Sequence, residues 1–427
     1  MLEVASREPA LHSAPVSRVR GVLVLVLAVS MSLVAGCTSP SRTPATFHGP
    51  STAPASAPAT VPGTGTGTGT GTGLAPAPRT LTILGAGDEL LHPQVWAQAR
   101  KDAKAAGRSG FDFDPIFAGV KPEISGASLA ICHLETPLAA PAGPFAGYPR
   151  FSVPPQIAGT LHDIGYDTCS TASNHTLDQG TAGIKRTLDA LDAAGVKHTG
   201  SYRTKAESIA SDIIEVPPTG GGAPVKVAQL SFTFGFNGLR RPSGEAWVAN
   251  VTDPSAILHA ARRAKQDGAE IVVLSIHWGV EYSHTPNAAQ KALAKQLLAS
   301  PDIDLILGCH EHVVQPIERI DDKWVVYGMG NQLARHADPI NDNREGIMPM
   351  FRFSETSPGR WHVATAIAVP TWVTLTPDIR VVDLVDASPA SSADRNVYRA
   401  AVGRITKYVD SLGASADGLS VAANLSP

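Results

Sequence analysis

Basic charge is not in excess in this sequence. It holds 35 Lys and Arg against 38 Asp and Glu, a net charge of −3, so it carries no electrostatic footprint for nucleic acid. It also lacks an apolar run long enough to span a membrane. The longest candidate, GVLVLVLAVSMSLVAG from Gly21 to Gly36, falls short of the about 20 residues a spanning helix needs. No internal repeat suggests a solenoid. Cysteine is scarce, with four residues, and histidine supplies only 14 of the 427. The apolar fraction is ordinary for a globular protein, and 427 residues suffice for two average domains or one large one.

The first segment reads as targeting. Arg18 and Arg20 precede the apolar run, which ends in LVAGC. That ending resembles a bacterial lipobox, with Leu33, small residues and then Cys37, and implies cleavage before Cys37 and lipidation of its thiol. The expected organisation is a lipoprotein signal over 1–36 and a lipidated Cys37 opening a tether over 37–78. The tether is rich in Ser, Thr, Pro and Gly, carries Thr-Gly repeats, and cannot bury a core. A flexible chain of that length spans roughly 35 Å. Export to the outer face of the cytoplasmic membrane follows from this reading. In that oxidising location Cys132 and Cys169, each in an apolar strand-like run, are either bridged across adjacent strands or buried as small residues.

From Arg79 onward, strand-like and helix-like stretches alternate. Strands are predicted at Thr80–Gly85, Ser128–Leu134, Asp167–Ala172, Lys226–Phe232, Glu270–Ile276, Asp304–Leu307 and Lys323–Tyr327. Most are short apolar runs without strict alternation, which suits strands covered on both faces. TAGIKRTLDALDAAG places Ile184, Leu188 and Leu191 on one helix face and stops at Gly195. DPSAILHAARRAKQDG opens with Asp253 and Pro254, and TPNAAQKALAKQLLAS with Thr285 and Pro286. A layered α/β domain is expected over 79–345. Residues 346–427 supply further strands, WHVATAIAVP among them, and a helix around Asn396–Leu412 that complete it.

Polar side chains gather where these strands end. They are Asp88 in GAGDELLH, His133 and Glu135 in CHLETPLA, and Asn174, His175 and Asp178 in TASNHTLDQG. His277 and Glu281 follow in HWGVEY, His310 and His312 in GCHEH, and Asn331 in GMGNQ. Ligand sites in open α/β sheets form at the carboxyl ends of strands. Two imidazoles one residue apart, as at His310 and His312, can hold one metal ion or two neighbouring ones.

In this order and register the blocks resemble the CapA family, the poly-γ-glutamate capsule biosynthesis proteins, over roughly Leu81 to Arg335. The resemblance implies a metallophosphoesterase-like α-β-β-α sandwich and a metal-dependent hydrolase acting on an anionic polymer or phosphoester. Two other roles stand beside that one: a non-catalytic assembly or retention subunit of a polymer synthase, and a general phosphodiesterase. The implied cofactor is one or two divalent ions of Mn, Fe or Zn. Asp88 and His312 would ligate a first ion, Glu135 would bridge, and Asn174, His277 and His310 would hold a second. His175 would act as general acid or as donor to the transition state.

The D-x-H histidine of ordinary metallophosphoesterases is missing, since Glu89 and Leu90 follow Asp88. His133 stands where the family usually has Asn, and is read either as a ligand or as a hydrogen-bond partner of Glu135 or Asp88. Asp178 is expected to fix a turn, and Glu281 to line the pocket or form a salt bridge. Asn331 and Gly330 are expected to line the site by backbone approach, Trp278 to be core, and His92 to be solvated. Cys309 is left out of the site, because strand alternation would turn it away from His310.

Overall fold

The computed structural model describes residues 78–337, 340–388 and 391–422. The apolar run of the first segment, Cys37 and the tether up to residue 77 lie outside the described residues. The chain runs from β1 (Thr80–Leu90) through α1 (Pro93–Ala105), α2 (Asp114–Phe117) and α3 (Lys121–Gly126) to β2 (Leu129–Leu134). Next come α4 (Ile157–Ile164), β3 (Thr168–Ser170), α5 (Gly180–Ala194), β4 (Lys197–Thr199) and α6 (Lys205–Ile209). They lead to β5 (Ile213–Val216), β6 (Val225–Thr233), α7 (Pro254–Gln266), β7 (Ile271–His277), α8 (Ala288–Leu298) and β8 (Leu305–Cys309). The last part holds β9 (Ile317–Ile320), β10 (Lys323–Val326), β11 (Asn331–Ala334), β12 (Glu345–Ser357), β13 (Arg360–Thr374), β14 (Arg380–Asp383), α9 (Ser392–Val409) and β15 (Leu419–Val421).

These strands form two sheets. One runs β14-β13-β12-β1-β2-β3-β4, with β11 beside β1 and β15 beside β13. The other runs β5-β6-β7-β8-β10-β9. The sheets stack face to face. Leu81, Ile83, Leu129 and Ile131 of the first pack with Val227, Ile271, Val273, Leu305 and Leu307 of the second. On its outer face the first sheet buries Leu84, Ala130 and Leu134 against Val95, Ala99, Leu161 and Leu191 of the helices. The second buries Ala228, Val272 and Leu274 against Ile257, Ala261, Ala294 and Leu297 of α7 and α8. This is the expected α-β-β-α sandwich. Both faces of β2 are covered, which is why LAIC, ahead of His133, reads as an unbroken apolar run rather than an alternating one.

Local signals act largely as the sequence suggests. The Asp253 carboxylate accepts the Ala256 N–H at 2.7 Å to start α7, and α5 stops at Gly195, whose φ is 84°. The start of α8 differs from expectation. Its cap is Asn287, not Thr285, because Asn287 and Gln290 form a reciprocal capping box. The third predicted strand is shorter than expected, its pairing with both neighbours ending at Ser170. Beyond residue 345, β12 pairs antiparallel with β1 in the middle of the first sheet.

Cys132 and Cys169 face each other across the parallel β2–β3 pair and form a disulfide closing 37 residues of sequence. Of the two sequence readings, the structure takes the bridge. Restricting a loop of that length in the unfolded chain stabilises the fold by about 3–4 kcal/mol. Reduction, or the double substitution Cys132→Ala/Cys169→Ala, is expected to lower the denaturation midpoint accordingly. A midpoint unaffected by both would mean the thiols are not joined.

Candidate metal centre

The inter-sheet core changes character at the carboxyl ends of its strands. Side chains two apart share a strand face. Leu129 and Ile131 are therefore followed on that face by His133, and Ile271 and Val273 by Ser275 and His277. On β1 the register shifts on both sides of Asp88, which re-aims its side chain into the same space. The backbone beside it is tightly packed. A Cβ on Gly87 would lie 1.9 Å from the Gly330 carbonyl, which accepts the Asp88 N–H at 3.0 Å. Glycines in both GAGD and GMGN thus permit one close strand approach. After Cys309 the chain leaves extended geometry: His310 has φ 112° and His312 has φ 56°. These left-handed conformations turn both rings into the site.

Asp88 Oδ2 accepts from His312 Nδ1 at 3.1 Å, and Asn331 Oδ1 lies 3.0 Å from the same nitrogen. His312 Nε2 then faces Glu135, 3.9 Å from Oε1. His277 Nε2 lies 3.2 Å from Asn174 Oδ1, and its ring centroid is 4.6 Å from that of His310. His133 places Nε2 3.0 Å from His277 Nδ1 and 3.8 Å from Asp88 Oδ1, with Nδ1 2.7 Å from Ser170 Oγ. It is therefore inside the site, and its close imidazole partner is His277, rather than the Glu135 or Asp88 expected of a supporting histidine.

Several of these groups are buried with no partner. Asp88 Oδ1, both Glu135 oxygens and His310 Nδ1 make no hydrogen bond. Burial raises the Glu135 pKa well above its ordinary range, only partly opposed by His312. Burial acts on Asp88 in the same direction, but the His312 hydrogen bond and surrounding imidazoles outweigh it and hold that carboxyl low. Burial and neighbouring imidazoles push His277 far down and His310 down to about 3. On His312 burial is overcome by Glu135 and Asp88, and its pKa is pushed up to about 9. Buried carboxyl oxygens without partners, set among imidazoles, are costly as they stand and suit divalent-metal ligation. Ligand atoms of Asp88, Glu135 and His312 lie within 4.8 Å of one another, as do those of Glu281, His310 and His312.

The remaining expected residues find definite places. His175 Nδ1 is 2.7 Å from Asp178 Oδ2, which also accepts the Phe151 N–H at 2.8 Å. Asp178 thus holds the His175 ring as well as the local turn. Asn174, His175, Asp178 and Glu281 line a cavity of about 380 Å³ with Tyr148 and Arg150. Asn331 reaches the site through its side chain as well as by backbone approach. Trp278 is core: its indole donates to the Tyr327 carbonyl at 2.8 Å on the helix side of the second sheet.

Two expectations are corrected. His92 is buried rather than solvated, because it sits just before α1 against Phe151 and His336. Cys309 faces the site, because it continues the inward parity of Leu305 and Leu307, while the turn begins only at His310. The sequence reading also missed four contributors. Ser170 holds His133, and His336 lies against His312. Phe234 packs over His310 with centroids 4.6 Å apart. Glu311 is anchored by Gln290. For Cys309 the two-residue parity was available; for His336 no local pattern signals it.

The fold and the site together define a class of protein: a two-sheet α-β-β-α sandwich with carboxylates and imidazoles converging at its strand ends, an arrangement suited to holding divalent metal. Residues 82–336 match the family model for the bacterial capsule synthesis protein PGA_cap, more than half of the chain, and the chain belongs to that family. It is 28% identical over 207 residues to PGA biosynthesis protein CapA of Bacillus subtilis, covering 48% of this chain and 51% of that one. A "Probable polyglutamine synthesis accessory protein" of Mycobacterium tuberculosis is 26% identical over 240 residues, covering 53% and 58%. The chain thus spans about half the length of the curated relatives it matches. Among solved structures it aligns with the calcineurin-like phosphoesterase YfkN of Bacillus subtilis. The identity is 15% and the TM-score 0.41, over 78% of this chain and 99% of that one.

The Asp178 contact assigns the His175 proton to Nδ1. Histidine-labelled protein is expected to show His175 as the Nδ1–H tautomer by 15N NMR, and Asp178→Ala to move it toward the Nε2–H form. An unchanged tautomer in that variant would contradict the assignment.

Proposed function

We propose that this protein is an envelope-anchored, metal-dependent hydrolase in the biosynthesis of a capsule polymer of the poly-γ-glutamate type. The observation that carries the reading is the set of unpartnered, buried oxygens of Asp88 and Glu135 facing His312, with Asn174, His277 and His310 alongside. Asp88, His312 and Glu135 would hold one divalent ion, and Glu135, Asn174, His277 and His310 a second. Imidazole and carboxylate ligands suit Mn, Fe or Zn. Cations held there supply Lewis-acid activation of an ester or amide oxygen and of water.

The chain's own residues do the rest. His175, its Nδ1 engaged by Asp178, offers Nε2 as the proton-transfer atom for the leaving group. Arg150 in the cavity wall offers a cationic partner for an anionic polymer or phosphoester. The accessory designation of the Mycobacterium tuberculosis relative supports a second reading, in which the site binds polymer for a synthase without cutting it.

The lipobox-like LVAGC supports anchoring through Cys37 at the outer face of the cytoplasmic membrane. The Cys132–Cys169 disulfide fits that oxidising compartment. Cys37→Ala is expected to move the protein from the membrane to the soluble fraction with an unchanged circular dichroism spectrum. Retention in the membrane fraction would favour an uncleaved anchor.

The catalytic reading is tested by turnover of phosphodiester and γ-glutamyl substrates beside elemental analysis. His277→Ala and His310→Ala are expected to lose metal. His175→Ala should keep its metal while turnover falls by about 10²–10⁴-fold, the usual contribution of a positioned acid or base. Metal loss in His175→Ala would overturn its role. Metal binding without turnover of either substrate class would leave the assembly reading.

A further inference from the structure

Three ligand-type side chains, Asp88 of the expected ligand set among them, meet where the apolar slab between the sheets ends. Asp88, His133 and Cys309 are each buried, and one ligand atom from each lies within 4.8 Å of the other two. They come from three strands: β1, β2 and β8. Two of them, His133 and Cys309, continue the inward-facing parity of the apolar residues before them. Their positions are therefore set by the sheets and not by loops.

Each side chain presents a ligand atom to the shared space. Asp88 Oδ1 is fully buried and has no partner, its sister oxygen being engaged by His312. Ser170 Oγ lies 2.7 Å from His133 Nδ1 and 3.3 Å from the Cys132 carbonyl. With the hydroxyl donating to that carbonyl, His133 Nδ1–H donates to Ser170, and the Nε2 lone pair faces inward. That nitrogen lies 3.8 Å from Asp88 Oδ1, and its neighbour is the His277 ring. Cys309 is the free cysteine among the described residues, since Cys132 and Cys169 are joined.

We propose that Asp88 Oδ1, His133 Nε2 and Cys309 Sγ form a mixed oxygen–nitrogen–sulfur metal position that takes Zn²⁺ or Fe²⁺ in preference to Mn²⁺ or Mg²⁺. The inference rests on the metal reading above and adds a thiolate to it. Thiolate ligands select softer cations, whereas carboxylate and water suit Mn²⁺ and Mg²⁺. On binding, the Cys309 S–H proton passes to solvent and the sulfur lone pair forms the metal bond. His133 Nε2 exchanges its contact with His277 Nδ1 for the cation. A histidine at 133 is then a ligand rather than a hydrogen-bond partner of Glu135 or Asp88.

The test is a Co²⁺ titration of the metal-free full chain carrying Cys37→Ala, which removes the other unpaired thiol of the sequence. The expected result is a near-ultraviolet thiolate-to-cobalt charge-transfer band that saturates with the metal. The band should vanish in Cys309→Ser, and His133→Ala should weaken Co²⁺ binding at this position by more than about 10–100-fold, the loss that follows removal of an outer-shell partner alone. Cobalt d–d absorption without a thiolate band in the parent chain overturns the proposal and leaves the metal reading standing. No cobalt binding at all overturns both. The parent spectrum decides the matter even if Cys309→Ser does not fold.

Discussion

The desolvation of Asp88 and Glu135 is the constraint around which the molecule is arranged. Both carboxylates stand at the end of a dry slab between two sheets, where oxygens without partners cost about 1–3 kcal/mol each and more when charged. The sandwich cannot move them toward water. Glu135 follows directly from β2, and Asp88 is fixed by its backbone bond to Gly330. What can respond is the surroundings. Imidazoles of His277, His310 and His312 crowd the same volume, and only His312 gains a proton from the carboxylates' field. Asp88 Oδ1 and both Glu135 oxygens still find no donor there, and a divalent cation would supply the missing partner.

The supports of that cavity are ordinary structural elements turned to one end. The capping box that starts α8 uses Gln290, whose side chain also donates to Glu311 at 2.7 Å and to Gln315 at 3.0 Å. Helix initiation thus braces the strained turn carrying His310 and His312. Asn331 ties the opposite side, donating to the His312 carbonyl and to the Asn343 carbonyl. The ligand-bearing loops are held from behind by second contacts of this kind, which fix ring orientation before any ligand arrives.

How much of this was legible in the sequence follows the range of each signal. Apolar runs separated by capped helices gave the alternation of strands and helices, and strand-end clusters gave the residues that meet. Periodicity along one strand also carried His133 onto the correct face. The same rule, applied across the Cys309–His310 boundary, misplaced Cys309, because a φ of 112° breaks alternation and nothing local announces it. His336 and Ser170 escaped notice for a different reason. Each touches the site through a neighbour far away in the chain, and such contacts leave no periodic trace. The short strands β4, β5, β9 and β11 went unread because three or four residues establish no pattern of their own, whereas β3 and β10, no longer, lay within predicted runs.

The central claim is that Asp88, Glu135, Asn174, His277, His310 and His312 surround divalent cations. Anomalous diffraction from crystals grown with Mn²⁺ or Zn²⁺, collected at the metal edge, tests it most directly. The account predicts a peak between Asp88, Glu135 and His312, a peak between Glu135, Asn174, His277 and His310, or both, with nitrogen and oxygen ligands at about 2.0–2.2 Å. Absence of any peak among these side chains, with Glu135 and Asp88 capped by water or by protein donors alone, would contradict it.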